Sequence, residues 1–156
     1  MKSRYSAVFW DWNGTIVDDL EVNFSVINLL LDKYVQKSIS MEDYRKSFCF
    51  PIIDFYRNIG LPVDSNKYEQ IVNDYWDLYR SQSDTISLTT GILDIIKTLK
   101  LYGVNQFVLS ASPKNAIVSQ MSKYNIQSYF DGIISPTDGY AKGKIELARQ
   151  WVAEHD

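Results

Sequence analysis

Three short stretches of the chain gather the residue types suited to chemistry. Asp11, Asn13, Gly14 and Thr15 surround Trp12 directly after an apolar run, Ser110, Ala111 and Ser112 follow a second run, and Lys142 and Lys144 open the last helical pattern. The single histidine is His155 and the single cysteine is Cys49, so a histidine triad or a multi-cysteine metal site has nothing to be built from. Any catalysis must therefore run on carboxylates, hydroxyls and lysines. Each stretch also has an ordinary structural reading. Asn13-Gly14 is a strong tight-turn signal, Ser112 before Pro113 reads as a helix N-cap with proline at the first helical position, and the lysines can be solvated. Capping and anion binding are compatible, because a helix start presents free N–H groups.

These stretches must be held by the elements around them. Residues 5 to 10, YSAVFW, form a continuous apolar run that predicts a strand covered on both faces, as in a parallel sheet. From Glu21 to Val35 apolar residues recur at helical spacing, with Asp18 or Asp19 as caps. Ser40 to Cys49 and Ile52 to Ile59 are weaker helical patterns. Asn66 to Arg80 carries one stripe, and Asn66 with Glu69 resembles a capping box. Residues 18 to 89 are thus expected to be all helical. Beyond them the pattern predicts a helix after Gly91 with Ile92, Ile95, Ile96 and Leu99 on one face, then a strand from Val104 to Leu109. A helix with Ile117 and Met121 inward, ended by Asn125, and a strand from Tyr129 to Ile134 come next. The last helix spans Gly143 to Glu154, with Ile145, Ala148, Trp151 and Val152 aligned.

Alternating strands and helices describe an α/β fold with an open parallel sheet. The connection between the first two strands exceeds 80 residues, far beyond a single crossover helix, so it must hold an inserted helical subdomain. The expected division is a discontinuous core of 1–17 and 90–156 with an insert of 18–89. In such sheets ligands sit outside the carboxyl ends of the strands, where Asp11 and Ser110 both fall.

Composition narrows the function. The 156 residues carry 16 Lys plus Arg against 19 Asp plus Glu, with no basic cluster, which speaks against a nucleic-acid partner. The longest apolar runs are far shorter than the ~18 residues of a membrane span, and no charged-then-apolar leader is visible; a cytoplasmic protein with no membrane partner is expected. One cysteine suits a reducing compartment, and Cys49 is read as a buried small hydrophobe.

Taken in order, these stretches resemble the haloacid dehalogenase superfamily of phosphatases and phosphotransferases. FWDWNGTIVDD resembles the first motif of that family, VLSAS the second, and AKGKIELARQ the third; residues 18 to 89 resemble its helical cap. The subgroup most similar is the phosphoglycolate phosphatase and beta-phosphoglucomutase type. The resemblance implies a Rossmann-like core and hydrolysis of small phosphorylated metabolites. Asp11 would be the nucleophile that forms an aspartyl-phosphate, and Ser110, the Ala111 N–H, Gly14, Thr15 and a lysine would bind the phosphoryl group. Lys144 is preferred over Lys142 because Ile145-Glu146-Leu147 fits the family spacing better. Mg2+ would be held by Asp11 and the backbone carbonyl of Asn13.

Two departures qualify the resemblance. The family's phosphatases carry a second aspartate where this chain has Asn13, and an amide can neither protonate a leaving oxygen nor activate water. Asn13 therefore predicts slow turnover of ordinary phosphate esters, or a leaving group that needs no proton. A weak or inactive relative that binds phosphorylated ligands or a protein, and a dehalogenase or phosphonate-cleaving branch, are the alternatives; a receiver-type signalling domain would leave the helical insert unexplained. The acidic fourth motif is absent from the sequence, which reads as a core lacking its last strands. Asp131 and Asp138 are the acids nearby, and Asp131-Gly132 reads as a strand-edge turn. Without a further strand the first one has an open apolar edge, so pairing with a second copy is expected. In the insert, Arg45, Lys46, Arg57, Arg80, Phe48, Phe50 and Tyr56 could contact the far end of a substrate, though solvated charges and packed aromatics are the plainer reading.

Overall fold

The computed structural model describes residues 7–64, 66–136 and 143–155. The chain divides into two compact units. One takes in residues up to Asp18 and most of those from Ser87 onward. The other comprises Asp19–Ile86, together with Gly143 among the described residues.

The first unit is built on a three-stranded parallel sheet of β1 (Ala7–Trp10), β4 (Asn105–Leu109) and β5 (Gly132–Ile134), in the order β1-β4-β5. A two-stranded antiparallel ribbon, β2 (Val17–Asp18) with β3 (Ser87–Leu88), stands where the chain leaves for the second unit and returns. Three helices complete the unit: α5 (Ile92–Leu101), α6 (Lys114–Tyr124) and α7 (Ile145–His155). On one face of the sheet Phe9 stacks on Phe107 at 5.4 Å and both meet Trp151 of α7. On the other, the fully buried Gln106 accepts from Trp10 Nε1 at 3.0 Å and donates to the carbonyls of Ile96 and Tyr129. A buried amide is costly unless bonded, and here the bonds tie β4 to α5 and to the turn before β5.

The second unit is helical: α1 (Leu20–Val35), α2 (Met41–Ser47), α3 (Ile52–Asn58) and α4 (Tyr68–Ser81). Its core joins Val26, Ile27, Leu30 and Leu31 of α1 with Ile71 and Val72 of α4 and Phe55 of α3. Polar ties reinforce the α1 and α4 pair. Tyr34 Oη and Lys33 Nζ both donate to Asp74 Oδ2 at 2.6 Å, and Tyr79 Oη donates to the buried Asp19 Oδ2 at 2.8 Å. Burial, with the Asp19 carboxylate as a lesser cause, pushes the Tyr44 phenol up to about 12.

Several elements differ from expectation for identifiable reasons. The ends of 18–89 are strands rather than helix, because Val17 and Asp18 pair with Leu88 and Ser87. Asp19 occupies the cap position of α1 without a side-chain capping bond, its carboxylate being turned to Tyr79. No capping box opens α4, which starts at Tyr68 with Lys67 at the cap, one residue past Asn66. The strand expected from Tyr129 begins only at Gly132, because Tyr129 ends a 3₁₀ turn of residues 127–129 closed by the bond from its N–H to the Ile126 carbonyl. Ile95, Ile145 and Val152 are exposed, since the buried stripe of α5 runs through Ile92 and Ile96 and α7 turns Trp151 to the sheet. Cys49 is half-buried beside Asn58, and Phe48 and Phe50 are exposed.

Candidate active site

The carboxyl ends of β1 and β4 lie side by side, because Trp10 pairs with Val108 in the parallel register. Asp11 is the first residue beyond β1. The loop after it is wound on Trp12, whose carbonyl accepts from the N–H groups of Thr15, Ile16 and Val17. Gly14 sits in this turn at φ 71°, a left-handed conformation that glycine adopts without strain. The Trp12 indole is fully buried, its Nε1 donating to Gln120 Oε1 of α6 and its ring meeting Phe130 edge-on. With Trp12 planted inward, its neighbours Asp11 and Asn13 are only half-buried.

Asp11 Oδ1 accepts from the Trp12 N–H at 2.8 Å and from Lys144 Nζ. Its Oδ2 has no hydrogen-bond partner among the described residues. Lys144 stands just before α7, so its ammonium would face a helix N-terminus unfavourably were it not balanced by the Asp11 carboxylate. The side chains are 30% and 43% exposed for Lys144 and Asp11, which leaves the pair open to an incoming ligand.

The second strand supplies the donors. Ser110 is buried, its N–H donating to the Ile134 carbonyl and its Oγ accepting from the Ser112 N–H at 3.1 Å, so its hydroxyl hydrogen is left for another acceptor. The Ala111 N–H makes no hydrogen bond among the described residues although Ala111 is buried. An orphaned buried N–H is rare and suits an anion site. Ser112 does not cap α6. Its hydroxyl donates to Asn13 Oδ1 at 2.6 Å, and Pro113 takes the cap position.

The structure thus brings Asp11, Asn13, Ser110, Ala111 and Lys144 to one sheet edge. Gly14 and Thr15 lie in the adjoining turn, with their N–H groups donating to the carbonyls of Val17 and Trp12. Lys142 and Asp138 lie outside the described residues. Asp131 is a structural residue: its carboxylate accepts from Lys100 Nζ at 2.9 Å and from the Gln106 N–H at 2.7 Å, which holds its pKa below the usual carboxylate range. Ser112, read from the sequence chiefly as a cap, is tied to Asn13 instead, and the sequence reading does not single out Ser135, directly after β5, whose buried hydroxyl has no partner among the described residues. Nothing in the local sequence marks Ser135.

No group of three or more His, Cys, Asp or Glu side chains that could hold a metal occurs among the described residues. The oxygens present suit a hard cation, since Mg2+ commonly takes only one or two protein carboxylates and keeps water and substrate oxygens for its other positions. No helix among the described residues is long and apolar enough to cross a membrane.

The fold is thus an α/β parallel sheet with a carboxylate after its first strand, hydroxyl and amide donors after the next and a lysine returning to the carboxylate. The family model of haloacid dehalogenase-like hydrolases matches residues 8–152, and the chain belongs to that family. Solved structures agree on the fold. A haloacid dehalogenase-like hydrolase from Streptococcus pneumoniae superposes with a TM-score of 0.78 at 18% identity, over 97% of this chain and 70% of that one. A protein assigned as a phosphoglycolate phosphatase from Lactobacillus plantarum gives 0.74 at 21% identity, over 84% of this chain and 61% of that one. Protein Tyrosine Kinase A of Mycobacterium tuberculosis gives 0.75 at 20% identity, over 96% and 68%. The chain therefore spans about three-fifths to seven-tenths of the length of these structures. A comparison with curated proteins finds no match.

Proposed function

We propose that this chain carries the phosphoryl-transfer site of a hydrolase acting on small phosphorylated metabolites. The observation that carries the reading is the Lys144–Asp11 pair set beside the donors of Ser110 and Ala111. In this reading Asp11 attacks phosphorus through Oδ2, the oxygen left without a partner, while Oδ1 stays fixed by the Trp12 N–H and by Lys144. The Ser110 hydroxyl and the Ala111 N–H bind the equatorial phosphoryl oxygens, and Lys144 spreads their charge. Asp11 and the Asn13 carbonyl would hold Mg2+, which supplies charge neutralisation at the phosphoryl oxygens when bound. The helical unit would serve as the cap that excludes water, and subgroup membership with the phosphoglycolate phosphatase and beta-phosphoglucomutase type belongs to the same reading.

A cytoplasmic location and a homodimer through the free edge of β1 are part of the proposal. Among the described residues β1 has a ladder partner only in β4, and its Phe9 is 41% exposed, which is a feature a second chain would cover. The second reading, a slow or inactive relative, draws on the amide of Asn13. Turnover of p-nitrophenyl phosphate with Mg2+ tests the first; a rate no higher than that of Asp11→Ala would leave only the second.

A further inference from the structure

The groups around Asp11 bind charge well and move protons poorly. Asp11 is the one carboxylate among the described residues brought to this edge, and Lys144 is engaged with it. The remaining groups are hydroxyls, a backbone N–H and the amide of Asn13. The amide is also oriented: with Oδ1 accepting from Ser112 at 2.6 Å, its NH2 end is the one turned away from Ser112. An NH2 group donates a hydrogen bond without surrendering its proton. Among the described residues the site therefore has no group to protonate a departing alkoxide, nor one to take a proton from attacking water.

Resting on the phosphoryl-transfer reading, we infer that this site takes phosphoryl donors whose leaving group departs as a weak base, acyl phosphates foremost, and then holds the phosphoryl group on Asp11 as a persisting adduct. In the first step an Asp11 Oδ2 lone pair forms the bond to phosphorus while the bond from phosphorus to the acyl oxygen breaks, its electron pair leaving with a carboxylate. No proton moves. In the second step water attacks phosphorus, the Oδ2–phosphorus pair returns to Asp11, and the proton of the water passes to solvent. A positioned acid or base contributes roughly 100- to 10,000-fold, so its absence slows alkyl and aryl esters of basic alcohols in the first step and every donor in the second.

The test gives the purified 156-residue chain acetyl phosphate or phenyl phosphate in Mg2+ buffer. Intact-mass spectrometry reads the adduct and donor consumption reads turnover, with Asp11→Ala and Asn13→Asp run alongside. Acetyl phosphate should add one phosphoryl group that outlasts the donor, phenyl phosphate should add none, and Asp11→Ala should abolish the adduct. Asn13→Asp should raise phenyl phosphate consumption by about 100-fold or more and shorten the life of the adduct. Consumption of phenyl phosphate by the natural chain as fast as acetyl phosphate, or an Asn13→Asp variant unchanged on both, would overturn the inference while leaving Asp11 as nucleophile. Consumption of neither donor above the Asp11→Ala level would overturn the phosphoryl-transfer reading itself.

Discussion

Ser112 Oγ donates to Asn13 Oδ1 at 2.6 Å, bridging residues 99 apart in the chain and joining the loop after β1 to the loop after β4. A serine that merely capped α6 would have no energetic link to position 13. A double-mutant cycle of Ser112→Ala and Asn13→Ala, read by urea unfolding, should therefore give a coupling of about 0.5–1.5 kcal/mol, the net worth of one hydrogen bond. Strict additivity would show that the bridge is energetically idle.

The Lys144–Asp11 pair predicts a separation of activity from stability. Both side chains are partly exposed, and such pairs contribute about 0–1 kcal/mol to folding. Lys144→Met should leave the unfolding midpoint nearly unchanged while lowering any Asp11-dependent phosphoryl transfer by roughly 100-fold, as expected for loss of one preorganised charge contact. Equal transfer rates in the variant and the natural chain would remove Lys144 from the site.

What the sequence made legible follows the range of the rules that read it. The alternation of runs is enough for three parallel strands alternating with helices, because apolar strands and helix stripes are local patterns, whereas the order β1-β4-β5 comes from the structure. Asn125 was legible as a helix end for the same reason, and it adopts the left-handed φ of 55°. Where a side chain had two possible partners, local rules chose the near one. Ser112 was assigned to its own helix, yet its hydroxyl goes to Asn13. Asp18 or Asp19 is the expected cap of α1; Asp19 takes the position, yet its carboxylate is buried against Tyr79, 60 residues away. Tertiary contacts outbid local capping in both cases, and spacing along the chain carries no trace of them. Ile145 and Val152 failed differently: their spacing fits a helix face, but α7 presents Trp151 to Phe9 and Phe107 instead.

Gly132 predicts a packing defect that carries no backbone strain. It pairs in register with Phe107, and a Cβ there would meet the Phe107 ring at 3.0 Å, tight enough that the ring must give by a few tenths of an ångström. The ring cannot retreat freely, since it is stacked on Phe9 and packed on Trp151. Gly132→Ala should cost about 1–3 kcal/mol in urea unfolding, and Phe107→Leu in the same chain should recover part of the loss. A variant as stable as the natural chain would show that the ring moves at no cost.

Asp131 sets a pH dependence whose sign is fixed by its partners. Lys100 first, and the Gln106 N–H second, hold its carboxyl below the usual range in the folded chain, while the unfolded chain has the ordinary value of about 3.9. The unfolded state therefore binds more protons in the acid region, and stability falls as pH drops. The contribution is present above about 4 and is lost as pH falls through the lower folded value. Asp131→Asn should destabilise the chain at neutral pH and flatten the decline of its urea midpoint between pH 5 and pH 3, so that the two chains converge in acid. Parallel curves across that interval would show that Asp131 is not held by Lys100 and the Gln106 amide in solution, and that the strand-edge contact joining α5, β4 and β5 is formed by other groups.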